Sequence, residues 1–504
     1  MSQPHSKSKF KSALKIFVML LFVPLVYIAG ASISFMVRER RANAEFTQMR
    51  MPQVKPVSKC SRLMVFSPHC DDETLGCGGL IQQTLAAGGD VEVVFLTNGD
   101  AFRTGVECMA HTTHVHPADF IKYASLRQGE SQRALMHLGV PKSHILFLGF
   151  PDGGSMHIWE NHWSTKDPFT SPFTDTDAVP YKLAVFPHTL YCGSNIVHAM
   201  QDLMEQFKPT IITVTHPQDD HPDHEGASAF VTLSYDLLKE MKPSHNWMQN
   251  SQLLYYLVHR GDWPTPEGLY ENMPLTPPHP MAYLDTRWMT LPLTPEQTEL
   301  KLQSIDIYKS QTAMMGRFLR SFARKNEMFG YLPEEMLYDL PTTDAEPGVT
   351  PSTWQSIPPI LLNPQRDDML RALNGGANIC AVFACRYGDT LHVLLELRSP
   401  VSTRFRYQIN LRPVNSDGLS IDKDLSWSIY PNEKNLPEGA VTKASGRWLL
   451  FDIPWNDIST ETRGKHVSFI GISAHTTLSE MEVDKTGVRL LRCTPFTSNY
   501  LRPS

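Results

Sequence analysis

His69, Asp71 and Asp72 lie within one short stretch, Pro68-His69-Cys70-Asp71-Asp72-Glu73, directly after the apolar run Leu63-Met64-Val65-Phe66. Far downstream, His221-Pro222-Asp223-His224 follows a second, β-branched run, Ile211-Ile212-Thr213-Val214. Imidazoles and carboxylates are donors for catalytic zinc, which takes three protein ligands and keeps a fourth position open. His69 and Asp72 can turn two donors to one point from a tight loop, and His224 supplies a third from a neighbouring strand end. Asp71 projects differently and stays free as a base. A carboxylate beside water activated by a metal is the pair needed to split an amide, taking the water's proton and passing it to the departing amine. His221 is placed to face the oxyanion, with Asp223 holding its imidazole in one tautomer or keeping it charged. Either cluster alone fits a plain turn equally well, with Asp71 and Asp72 capping a helix that begins near Thr74. Two clusters at strand ends of one sheet favour the metal centre.

The elements that must position these groups alternate strand and helix. Strands are expected at 63–67, 91–97, 144–148, 210–215 and 253–258, the last closing the series. Helices are expected at 75–87, 120–138, 195–207 and 225–242, with further helical spacing over 291–330. This alternation predicts an α/β, Rossmann-like, doubly wound and mostly parallel sheet, whose ligands collect beyond the carboxyl ends of the strands. The long stretch between Pro151 and Tyr191 reads as an active-site loop or lid. Beyond a Pro, Thr and Ser-rich linker the period changes to two, as in Trp448-Leu449-Leu450-Phe451-Asp452-Ile453, which predicts a C-terminal β-sandwich. The expected domains are a tail at 1–15, a transmembrane helix at 16–37, linkers at 38–60 and 341–366, a catalytic domain at 61–340 and the sandwich at 367–504.

From Arg62 to about Phe329 the chain resembles the PIG-L/LmbE-type zinc-dependent N-acetylglucosaminyl de-N-acetylases. That family carries His-Pro-Asp-Asp-Glu after its first strand and a later His-Pro-Asp-His. The first motif here reads His69-Cys70-Asp71-Asp72-Glu73, and the second is complete at His221 to His224. Leu96-Thr97-Asn98-Gly99-Asp100, Arg127-Gln128-Gly129-Glu130, Phe150-Pro151-Asp152-Gly153, Tyr308-Lys309-Ser310-Gln311 and Asn326-Glu327 also look familial. The resemblance implies that His69, Asp72 and His224 bind Zn2+, that Asp71 is the general base, and that His221 stabilises the oxyanion. It further implies that Arg127 and Asp152 contact sugar hydroxyls. Cys70 departs from the family's proline and reads either as a spectator or as an oxidation-sensitive thiol beside the metal.

Other features compete for attention. His111, His114 and His116 form a string that could pass for a second metal site, but no carboxylate-bearing strand is near. Gly76, Gly78 and Gly79 lack the Lys-Ser/Thr of a phosphate loop and read as close helix-to-sheet packing. Trp159, Trp163 and Phe169 fit sugar stacking and anchoring of the insertion equally well. The net charge of −6 over 504 residues gives no broad basic field, which argues against nucleic acid. The eight cysteines form neither a dense framework nor a CxxC pair.

Residues 16–37 carry no charge and are long enough to span a bilayer, which favours an uncleaved anchor over a signal peptide cut near Ala29-Gly30-Ala31. Basic residues on both sides nearly balance; the preferred orientation puts the catalytic body outside the cytoplasm, in a periplasmic or other extracytoplasmic space. The expected activity is that of a membrane-anchored zinc de-N-acetylase acting on an N-acetylated glycan, polymeric or lipid-linked, with glycan-biosynthesis machinery as an expected partner. The alternatives are a cytoplasm-facing deacetylase of a GlcNAc-phospholipid or small glycoconjugate and a non-catalytic glycan-binding scaffold.

Overall fold

A computed structural model describes residues 51–241, 246–261, 263–282, 284–364, 371, 373–420, 425–431, 440–458 and 466–493, together with Gly30. The expected tail and the linker up to residue 50 lie outside the described residues, as does the expected anchor except for Gly30. Among the described residues no helix is long and apolar enough to cross a membrane.

Five parallel strands form the frame: β1 (Arg62–Ser67), β2 (Asp90–Thr97), β3 (Ile145–Phe150), β4 (Ile211–Thr215) and β5 (Gln252–Tyr256). They lie in the order β3-β2-β1-β4-β5, so the chain reverses its direction of travel between β1 and β4. Those two strands pair directly, Leu63 opposite Ile211. Successive side chains of a strand point to opposite faces. Met64, Phe66, Val94 and Leu96 therefore enter one core, and Leu63, Val65, Val93 and Phe95 the other. Helix α1 (Asp72–Ala86) closes the second core; α2 (Arg103–Ala110), α3 (Pro117–His137), α4 (Ser155–Asn161), α5 (Gly193–Phe207) and α6 (Pro222–Met241) follow in the chain. Helices α5 and α6 close the first core through Ile196, Val197, Phe230 and Val231. The fold is mixed α/β, as the alternating pattern predicts.

The sheet does not end at β5. Antiparallel β6 (Arg287–Pro292) and β7 (Asn326–Tyr331) extend it as β5-β7-β6. Both begin with polar residues, and neither shows clean alternation. Between them run α7 (Pro295–Ile305) and α8 (Lys309–Arg320), the helical part of the 291–330 expectation. Gly76 does mark close packing, since a Cβ there would stand 2.2 Å from the Tyr256 ring of β5. The expected lid is instead built into the fold: it contains α4, and Trp159, Trp163, Tyr181 and Tyr191 are buried in the first core.

The C-terminal region is a sandwich of two six-stranded sheets around one core that includes Val393, Phe451, Ile409 and Ile472. It starts earlier than expected. Glu335–Met336 and Tyr338–Leu340 already pair within its sheets, and Leu361–Leu362, from the supposed linker, pairs with Ile379–Tyr387. The described residues from Met51 onward form one compact unit. The sandwich grips the helices that carry the site. Arg412, 2% exposed, donates to the carbonyls of Trp159 (2.8 Å) and Glu160 at the end of α4. Trp163 Nε1 donates to Gly418 O at 3.2 Å, and Lys485 pairs at 3.1 Å with Glu225, the neighbour of His224.

Removing one partner of a buried ion pair leaves an uncompensated charge. Lys485→Met is therefore expected to lower unfolding free energy by about 3 kcal/mol. The double variant Lys485→Met/Glu225→Gln should recover most of that loss in denaturant unfolding; equal loss in both would deny the pair its role.

Candidate metal centre

The loop leaving β1 turns straight into α1, and the loop leaving β4 turns into α6, whose first residue Pro222 suits the start of a helix. Both loops meet where the strand order reverses, the crevice in which open α/β sheets hold ligands. There His69 Nδ1, Asp72 Oδ2 and His224 Nε2 form a triangle with all three edges 3.1 Å. Donors around tetrahedral zinc, bound at 2.0–2.1 Å, lie about 3.3 Å apart. Two imidazoles and one carboxylate at that spacing fit zinc in type, number and distance.

The opposite nitrogen of each imidazole meets a carboxylate. His69 Nε2 lies 3.2 Å from Asp152 Oδ1 and 3.4 Å from Asp223 Oδ2, and His224 Nδ1 lies 3.2 Å from Asp219 Oδ2. Such carboxylates fix which nitrogen carries the proton and leave the other to the metal. His69, Asp152 and Asp223 also converge closely enough to hold an ion. Both Asp223 oxygens, however, accept backbone N–H groups, from Gly153 (2.7 Å) and Ser155 (3.1 Å), and Asp152 accepts from Ala101 at 2.6 Å. That set braces His69 and the loop after β3.

Burial alone would hold the His69 imidazole down, yet Asp152, Asp223 and Asp72 keep its pKa well above the usual value. His224 is likewise buried, and Asp219 and Asp72 raise it to about 9. Asp72 is held well below the carboxylate range, the two imidazoles overcoming burial. The site thus already demands positive charge at the triangle.

Asp71 occupies the N-cap position of α1 but makes no side-chain cap bond, so the simple capped turn is not what forms. Its Oδ1 receives Arg127 Nη2 at 3.1 Å. Burial pushes its carboxyl up to about 7, against the pull of Arg127, which suits a general base near neutral pH. His221 is partly exposed, and burial together with the charge of His69 lowers it to about 3. Its Nδ1 accepts the backbone N–H of Asp223 at 3.2 Å, so the neutral ring carries its proton on Nε2. The Asp223 carboxylate, expected to orient that ring, stands 3.8 Å away; the peptide N–H does so instead.

The family description GlcNAc-PI de-N-acetylase, PIG-L, matches residues 64–235, from β1 into α6 and across both clusters. Residues 64–235 are a PIG-L family domain. A 1D-myo-inositol 2-acetamido-2-deoxy-alpha-D-glucopyranoside deacetylase of Mycobacterium sp. (strain KMS) is 26% identical over 37% of this chain and 54% of its own length. A glucosamine-6-phosphate deaminase-like protein of Bacteroides thetaiotaomicron is 23% identical over 57% of this chain and 41% of its own length. The chain thus spans about half the length of these curated relatives. The N,N'-diacetylchitobiose deacetylase of Pyrococcus horikoshii superposes with a TM-score of 0.33 at 16% identity, covering 54% of this chain and 84% of that one.

Within the PIG-L domain, Arg127 is not turned to the open site. It is 4% exposed and donates to Gly99 O (2.9 Å), Cys70 O (3.1 Å) and Asp71, so its guanidinium is turned to Asp71 and the loop after β1. Gly99 is required for this: its φ is +65°, and a Cβ would stand 1.7 Å from Arg127 Nη1. Asp152, as described, faces His69. Cys70 joins the core of Leu75 and Leu80, and burial pushes its thiol up to about 12, which disfavours the reactive thiolate. His111, His114 and His116 belong to none of the metal-like groups among the described residues. Trp159 and Trp163 anchor the insertion, 2% exposed each.

Two further residues of the candidate site escaped the sequence reading. Asp219 receives the N–H groups of Val258 and His259, 3.0 Å each, while facing His224. His259 packs 4.9 Å from the His224 ring just past β5. A His directly after an expected strand end, and an Asp two residues before His221, were the signals available. Asp219→Asn is expected to weaken zinc binding roughly 10- to 100-fold, read by chelator competition; unchanged affinity would remove Asp219 from the site.

Proposed function

We propose that the chain is a zinc-dependent de-N-acetylase that hydrolyses the acetamide of N-acetylated amino sugars, releasing acetate and leaving a free amine. The observation that carries this reading is the triangle of His69, Asp72 and His224 with the separate carboxylate Asp71 beside it. The PIG-L domain and the mycobacterial deacetylase relative support the sugar acetamide as substrate class. The apolar run at 16–37 supports anchoring to a membrane. With the body outside the cytoplasm, the substrate would be a polysaccharide or lipid-linked glycan, met beside the machinery that assembles it.

His69, Asp72 and His224 would hold the metal. When bound, zinc supplies Lewis acidity, polarising a carbonyl and acidifying water. Asp71 accepts the proton of the attacking water, whose oxygen bonds to the carbonyl carbon. Neutral His221 donates from Nε2 to the oxygen on which charge develops. As the carbon–nitrogen bond breaks, the proton on Asp71 goes to the departing amine. Arg127 keeps Asp71 aimed, and Asp223 and Asp152 keep His69 aimed.

This division of roles separates two variants. Asp71→Asn should retain zinc and lose activity by about 100-fold or more, whereas His224→Ala should lose the zinc itself. Metal content and acetate release from N-acetylated glycans, measured on both, test it. Equal zinc loss in the two would refute the separate base, and full activity in Asp71→Asn would refute the mechanism.

A further inference from the structure

A cavity of about 370 Å³ lies between the PIG-L domain and the sandwich, and no residue of the metal centre lines it. One wall is the face of α6 carrying Ser228, Thr232 and Asp236, four residues apart and so stacked on one side of the helix. At 1.5 Å per residue, Asp236 stands about 18 Å along the helix from His224. Arg489 from the sandwich and Tyr331, 38% exposed, also line it.

Asp236 is 8% exposed, yet its carboxylate has no hydrogen bond or ion pair among the described residues. Burial and Glu334 push it up to about 7, although Lys239, Arg492 and Arg489 pull the other way. Arg489 pairs with Glu335 at 3.1 Å, while its Nε is buried without an acceptor. Lys239 pairs with Glu334 at 3.5 Å. Asp236 thus lines the cavity with its carboxylate unpaired, and Arg489 lines it from the sandwich. An anion entering would meet Asp236 and Glu334; an ammonium group would meet Arg489, Lys239 and Lys55. An uncharged ligand rich in hydroxyls satisfies both sides, and aromatic rims suit the apolar faces of sugar rings.

We propose that this cavity is a second carbohydrate subsite, taking an uncharged pyranose unit whose hydroxyls donate to Asp236 and accept from Arg489 against Tyr331. The inference rests on the glycan reading of the metal centre and would make the sandwich part of a binding surface as well as a brace.

Hydrogen exchange can read the two places separately. The probe is the hexamer of β-1,4-linked N-acetylglucosamine, added to the full-length protein carrying Asp71→Asn to stop turnover. Exchange should slow over 251–255 and 331–335, in addition to 69–73 and 221–224. In that background Asp236→Ala or Tyr331→Ala should raise the hexamer concentration for half-protection at the cavity by about tenfold or more, leaving protection at the metal centre intact. Asp236→Ala should melt no lower than its parent, since it removes an unpaired buried carboxylate. No slowing at the cavity, or a half-protection concentration in both variants unchanged from the Asp71→Asn parent, overturns the subsite. Acetate release by the unsubstituted protein is scored separately: protection at the cavity without any acetate release would sink the catalytic reading and leave the subsite standing.

Discussion

Five carboxylates, those of Asp71, Asp72, Asp152, Asp219 and Asp223, are each more than nine-tenths buried at the carboxyl ends of β1, β3 and β4. Ionised carboxylates cannot be carried into a protein interior without matching charge and hydrogen bonds. Everything around them meets that demand. Arg127 matches Asp71, backbone N–H groups meet Asp223 and Asp219, and the imidazoles of His69 and His224 meet Asp72 and Asp152. A divalent cation would fit at the triangle of donors.

The same demand explains why the scaffold beyond the crevice is so tightly tied to it. Asp223 is held by the loop and first turn of α4, and the far end of α4 is held by Arg412 of the sandwich. Glu225 follows His224 on α6 and takes Lys485 from the sandwich. Glu327 of β7 receives the N–H groups of Gly79 and Leu80 and the buried Lys301, which fixes α1 behind Asp72. Each element bearing a ligand is thus braced by a polar contact on its far side.

Much of this was legible in the residue order. The five parallel strands could be read because each is a short apolar run flanked by helical spacing, and the donors could be read because they follow such runs directly. The β6–β7 edge was hidden, since Arg287–Pro292 and Asn326–Tyr331 mix polar and apolar residues without period. The early start of the sandwich was hidden because strands two or three residues long carry no pattern. Spacing could bring the Arg127 guanidinium to the site, whereas its turn towards the buried Asp71 carboxylate depends on Gly99 and the packing around it. Asp219 was reachable by asking what the His224 imidazole needs on its second nitrogen.

The most direct measurement is anomalous diffraction at the zinc absorption edge from crystals of the zinc-loaded protein. The donor triangle predicts one strong peak at bonding distance from His69 Nδ1, Asp72 Oδ2 and His224 Nε2 together, with Asp71 outside the coordination sphere. A peak on the other side of the His69 ring, between Asp152 and Asp223, or none within reach of all three atoms, would contradict it.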